Sequence, residues 1–190
     1  MQLTATDLSS LYRLIGQCLI SELDTPAIEM LRSAQISSVL GTLEPDFVAY
    51  VKRDWTAKDF EDAAVEYCGL FVLPGGAPLR ASSWIAGTEV EHTLVAGVEQ
   101  VLMSFELSID QLAVGNLSKD NIGLLLLLAA YLFEVDASEK SRFGHDFVSN
   151  FVLPWAPAFS EALLAKTTNP VYRAMSLLLA ATTELNEAQK

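Results

Sequence analysis

Apolar residues recur along most of this chain at intervals of three and four, the spacing of one face of an α-helix. Leu8, Leu11, Tyr12, Ile15, Cys18 and Leu19 form the first such stripe, with Thr6 or Asp7 placed to cap it. A second helix is predicted after Asp24-Thr25-Pro26, with Pro26 in its first turn and Ile28, Met30 and Leu31 as apolar positions. A short third begins near Glu44-Pro45 and carries Phe47, Val48 and Val51. Thr56-Ala57-Lys58-Asp59 resembles a capping box, with Asp in place of Glu or Gln. The helix behind it buries Phe60, Ala64, Tyr67 and Phe71.

Helix resumes around Thr88 and runs to about Glu106, with Val90, Leu94, Val98, Val101 and Leu102 on one face. Ser118 is placed to cap a helix from Lys119 to Glu134 that is apolar almost all round, the mark of a central core helix. Another starts near Ser138 and stops before Pro154. A short one follows from Ala158 to Lys166, and a last one, Val171 to Ala188, carries Tyr172, Met175, Leu178 and Leu179. β-Branched residues are scattered, and no run alternates as a strand would. The predicted fold is all-α, a single compact helical bundle over residues 1–190.

The longest break in this pattern runs from Tyr67 to Trp84. An apolar helix end, Tyr67-Cys68-Gly69-Leu70-Phe71, passes into a Pro/Gly/Ser loop that closes on Trp84. Irregular passages of this length are uncommon in compact domains and tend to be functional. Leu70, Phe71, Pro74, Pro78 and Trp84 offer apolar contact area, and Ser82 and Ser83 offer hydroxyls. Such a groove suits an apolar peptide segment better than a catalytic centre. Packing over the core is the plain alternative.

Composition adds a charge preference. The formal net charge is −12 over 190 residues, which disfavours nucleic acid and favours a cationic partner or simple solubility. Cys18 and Cys68 are far apart, sit among apolar residues and read as buried thiols. Met1 to Asp7 has no secretory pattern, and the apolar run from Ile122 to Phe133 is too short to span a bilayer. A cytoplasmic protein with no membrane insertion is expected.

Catalytic constellations are sparse. His92 lies beside acids and reads as solvated, while His145 reads as packed on a helix face. Glu61, Asp62 and Glu66 can share a helix face, and an exposed acidic surface is the expected role. Gly75-Gly76 lacks the Lys-Ser/Thr of a phosphate-binding loop.

Four stretches resemble the TorD/DmsD/NarJ family of redox-enzyme maturation chaperones, nearest its DmsD-like branch. Tyr67-x-x-Leu70-Phe71, a Pro/Gly loop and Ala81-Ser82-Ser83-Trp84 resemble the family's Y/W-x-x-L-F … P … S-x-W/Y pattern. Asp120-Asn121-Ile122-Gly123 and the apolar helix after it resemble E-D-H-x-G … A-A-W/Y-L. Phe147-x-x-x-Phe151-x-Leu153-Pro154-Trp155-x-x-x-Phe159 resembles H-L-x-P-W-x-x-x-F, and Asn169-Pro170-Val171-Tyr172-Arg173-Ala174 resembles H-P-F-Y-R-A.

The resemblance implies a non-catalytic chaperone that binds the twin-arginine leader of a molybdenum-cofactor oxidoreductase subunit. Its implied contact residues are Tyr67, Leu70, Phe71, Pro74, Pro78, Ser82, Trp84, Asp120 and Asn121. Asn121 stands where the family usually has His, so a role needing a titrating imidazole has no bearer there. Asp120 at a helix start serves equally well as a capping-turn acid. No cofactor is called for, although contact with GTP or the molybdenum cofactor stays open. So do a NarJ-like assembly role for a membrane-bound reductase, a nucleotide-binding protein using Asp120 and Gly75-Gly76, and a state of either monomer or helix-exchanged dimer.

Overall fold

Thr4 sets the first helix. Its hydroxyl accepts the Asp7 amide at 3.2 Å and the Asp7 carboxylate accepts the Thr4 amide at 2.9 Å, a reciprocal box that starts α1 (Ala5–Ile20). Asp7 is thus the third helical residue of the box and not the cap, and Thr6 lies inside the helix. The computed structural model describes residues 3–87, 89–108 and 117–187. Leu8, Tyr12, Ile15, Cys18 and Leu19 are buried along α1.

Asp24 caps α2 (Thr25–Arg32) by accepting the Ala27 amide at 2.8 Å. α3 (Ala34–Leu43) has no counterpart in the periodicity reading. Its Ser, Gly and Thr residues weaken helix propensity, and tertiary burial of Leu40 and Ser37 offsets that. α4 (Phe47–Lys52) follows, then α5 (Ala57–Tyr67) behind the expected box, with Thr56 and Asp59 bonded both ways.

After the loop, α6 (Val90–Ser104) begins past Thr88, which lies outside the described residues. α7 (Ile122–Glu139) is capped by Asn121 and not Ser118, and runs five residues beyond the expected Glu134 until Lys140 takes the left-handed conformation at φ 54°. Asp136, buried near its end, accepts the amides of Phe143 and Gly144 at 2.7 and 2.8 Å. These bonds start α8 (Phe143–Phe147), so the segment expected from Ser138 begins later. A π-helical turn, Val148–Val152, carries α8 towards α9 (Ala156–Lys166). The chain ends in α10 (Pro170–Glu187); Ala188 is not among the described residues.

α7 is the central helix. Ile122, Leu125, Leu126, Ala129, Ala130, Leu132 and Phe133 are buried along it. α1 packs against it at near-backbone distance. A Cβ added at Gly123 would lie 3.0 Å from the backbone of Ile20, and one at Gly16 would lie 3.0 Å from the Gly123 carbonyl. α10 packs on α9, α1, α3 and α4. The described residues thus form an all-α fold. No helix among them is long and apolar enough to cross a membrane.

Two side chains differ from the sequence reading and two agree with it. Glu66 is not part of a solvated face. It accepts from Thr167 at 3.1 Å and from Asn169 at 2.9 Å, and Asn169 also donates to the Tyr50 hydroxyl at 2.9 Å. Cys68 is only half-buried, whereas Cys18 is fully buried and its thiol is pushed up to about 12 by desolvation. His92 is exposed, as expected. His145 packs edge-on against Phe133 and pairs through Nδ1 with Asn186 at 2.8 Å.

Candidate functional site

The loop after α5 is built by the backbone before it is built by side chains. α5 does not stop at Tyr67 but widens into a π-helical turn, Cys68–Val72, closed by the Leu73 amide on the Cys68 carbonyl at 2.9 Å. The chain then doubles back. Gly75 supplies φ of 91°, and a Cβ at Gly76 would lie 2.1 Å from the Leu70 carbonyl oxygen. The Ala77 amide donates to that carbonyl at 2.5 Å. The Gly-Gly pair is therefore explained by a turn and a close approach, and the amides of Gly76 and Ala77 point into the turn. Lys166 at the end of α9 donates to the Gly75 carbonyl from outside.

The second half of the loop is stitched to the start of α7. Ala81 donates to the Asp120 carbonyl at 2.9 Å and Ile122 donates to the Leu79 carbonyl at 3.1 Å, so Arg80 and Asn121 face each other as one antiparallel bridge. A short 3₁₀ turn, Ala81–Trp84, follows. This stitching explains why two sequence motifs about forty residues apart make one site.

Between the π-turn and this bridge lies a cleft of about 500 Å³. Tyr67, Phe71, Val72, Pro78 and Leu79 give it an apolar wall; Arg80, Ser118 and Asn121 give it a polar one. Phe71 packs edge-on against Tyr67 and Tyr172, with ring centroids at 5.0 and 5.2 Å. The Tyr67 hydroxyl donates to the Leu19 carbonyl at 3.0 Å, and burial raises its pKa to about 12, so it remains a neutral donor. Val72, on the apolar wall, is 67% exposed, and Leu73 after it and Val65 on α5 are 59% and 68% exposed, apolar surface on an otherwise acidic protein.

Asp120 sits behind the polar wall, fully buried. The Ser82 hydroxyl donates to its Oδ2, and the Arg80 Nε lies 3.6 Å from the same oxygen. Arg80 also pairs with Glu91 on α6, and Lys119 pairs with Glu99 there. Burial opposes the charge on Asp120, but the Ser118 and Ser82 hydroxyls and the Arg80 guanidinium prevail, holding the carboxyl below the usual range. Oδ1 is buried with no hydrogen bond of good geometry to any described residue. Asp120 is therefore not the capping acid, since Asn121 does that work by accepting the Leu124 amide at 3.1 Å.

Residues 31–161 match the protein family described as "Nitrate reductase delta subunit". The chain belongs to this family. It is the NarJ/TorD-type family that the four sequence motifs resemble, and the matched span contains the whole loop and the start of α7. The chain is also similar to the Chaperone protein YcdY of Escherichia coli (strain K12), with 30% identity over 122 residues. That match covers 63% of this chain and 60% of the relative's length.

In this member of the nitrate reductase delta subunit family, four of the expected residues line one cleft: Tyr67, Phe71, Pro78 and Asn121. Leu70 is buried beneath them, Pro74 is exposed on the outer turn, and Ser82 and Asp120 brace each other behind the wall. Trp84 turns away. Its ring packs edge-on against Phe159 at 5.7 Å and its indole N–H donates to the Pro78 carbonyl at 3.0 Å, so it props the wall. The pattern reading missed Val72, Leu79, Arg80, Leu117 and Ser118. Arg80 carried a signal: it is a lone cation between an apolar loop and Ser82 in an acidic chain.

Two tests follow from this geometry. Asn121→Ala removes the cap of α7 and should cost about 0.5–2 kcal/mol in urea unfolding, with Asn121→Asp largely restoring it. Asp120 has a folded pKa below that of an unfolded aspartate, near 3.9. Its stabilising contribution is therefore complete above about pH 4 and is lost as pH falls through the lower folded value. Asp120→Asn should accordingly flatten the fall in stability below pH 4, measured by unfolding at pH 2–6.

Proposed function

We propose that this cleft binds the twin-arginine leader of a molybdenum-cofactor oxidoreductase subunit, and that the protein is a non-catalytic cytoplasmic chaperone for that subunit's maturation. The observation that carries the reading is the pairing of an apolar wall, Tyr67, Phe71 and Pro78, with a polar wall whose Arg80 is held by the carboxylates of Glu91 and the buried Asp120. A twin-arginine leader has the complementary order, a basic segment followed by an apolar one. The net charge of −12 favours encounter with such a peptide, and affinity should fall as salt rises. Family membership and the similarity to a protein named as a chaperone support the same reading.

A second reading is favoured by the family's own description. On this NarJ-like reading, the protein holds a subunit of a membrane-bound reductase through a tail without the twin-arginine signature. Co-purification of the protein with a candidate reductase subunit, with and without its leader, separates the two. Capture that depends on the leader supports the first; equal capture of the leaderless subunit supports the second.

A further inference from the structure

We infer that Arg80 occupies, from within the chain, the subsite that takes a leader guanidinium. This rests on the leader-binding reading above. Arg80 lines the cleft and reaches two carboxylates on separate elements, Glu91 on α6 and Asp120 before α7. A planar guanidinium can span two carboxylates with a fixed fork of donors, which an ammonium cannot match. Asp120 is fully buried, and a buried carboxylate needs a nearby cation. The Ser82 hydroxyl donates to its Oδ2, the oxygen that faces Arg80, and so holds the carboxylate in place for a guanidinium.

Arg80 is well placed to leave. Its side chain is 48% exposed, and the Glu91 carboxylate that holds it is 55% exposed. Exposed ion pairs of this kind are weak and exchange readily. The backbone bridge at Arg80 is made by its neighbours Leu79 and Ala81, so the side chain can swing out while the wall stands. An incoming arginine then replaces one guanidinium by another, and the buried carboxylate is never left uncompensated. Arg80 thus acts as a resident counter-ion and a competitor, and the subsite favours arginine over lysine.

The experiment is a titration of wild type, Arg80→Ala and Arg80→Lys with a synthetic peptide of Arg-Arg followed by an apolar stretch, and with its Lys-Lys version. A site open only part of the time loses affinity by that fraction, so Arg80→Ala should bind the Arg-Arg peptide about two- to tenfold more tightly. Arg80→Lys should fall between the two. Arg13→Ala is the charge control. Arg13 pairs with Glu134, twelve residues along α7 from Ile122, or roughly 18 Å at 1.5 Å per residue. Circular dichroism checks that each variant is folded.

Tighter binding by Arg80→Ala alone supports the inference. An equal gain in Arg13→Ala, no gain, or a loss overturns it, because the effect is then one of net charge or Arg80 is a contact and not a competitor. Wild type that binds while Arg80→Ala shows no gain overturns this inference and leaves the leader reading standing. No binding by any variant to either peptide overturns both.

Discussion

Trp155→Ala is expected to lower the unfolding free energy by about 3–5 kcal/mol, the range for truncating a large buried aromatic. Trp155 is fully buried, and its indole N–H donates to the Phe151 carbonyl at 2.5 Å. The substitution therefore opens a cavity and leaves that carbonyl without this donor. The effect should reach the cleft. Trp155 packs edge-on against Phe159 at 6.0 Å, Phe159 packs on Trp84, and Trp84 holds the Pro78 carbonyl. Leader affinity should fall as well, even in conditions where the variant is still folded. Urea unfolding measures the first effect and peptide titration the second; a stability loss below 1 kcal/mol would contradict the packing described.

Phe71→Ala should weaken leader binding by more than 1 kcal/mol, over about fivefold, as expected for an aromatic anchor in a desolvated wall. Phe71 lines the cleft and is only 6% exposed, because Tyr67 and Tyr172 hold it edge-on. Its truncation also costs fold stability, so Phe71→Leu is the companion variant. It retains most of the apolar volume but loses the ring edges, and should keep the fold while binding less tightly. Unchanged affinity in both folded variants would move the peptide away from this wall.

Much of the fold was legible because burial in helical proteins writes itself as a period. The α1 stripe, the Thr56–Asp59 box and the all-round apolar α7 all follow from local rules. α3 was passed over although Ile36, Leu40 and Leu43 repeat at helical spacing, because the Ser, Gly and Thr residues between them lower its local helix propensity. Cap positions shifted by a few residues for a similar reason. Several of Thr4, Thr6, Asp7, Ser118 and Asn121 can cap, and the packed geometry selects among them.

At the site, the Tyr67–Phe71 helix end and the Asp120-Asn121 segment were legible as types, and the Arg80–Asn121 bridge explains how they meet. The supporting contacts of Trp84 were not legible, because an aromatic at a loop end looks the same in sequence whether it faces a ligand or a core. Its indole bond to Pro78 and its contact with Phe159 place it in the support of the wall. Glu66 was likewise read as solvated, because its partners Thr167 and Asn169 lie about a hundred residues away.

Titration calorimetry of the wild-type protein with a synthetic twin-arginine leader, repeated across a salt series, tests the central claim most directly. The expected result is a micromolar or tighter dissociation constant that weakens as salt rises and weakens again for the Lys-Lys peptide. No heat at any salt concentration, together with no competition from any twin-arginine leader against a bound reductase subunit, would contradict it.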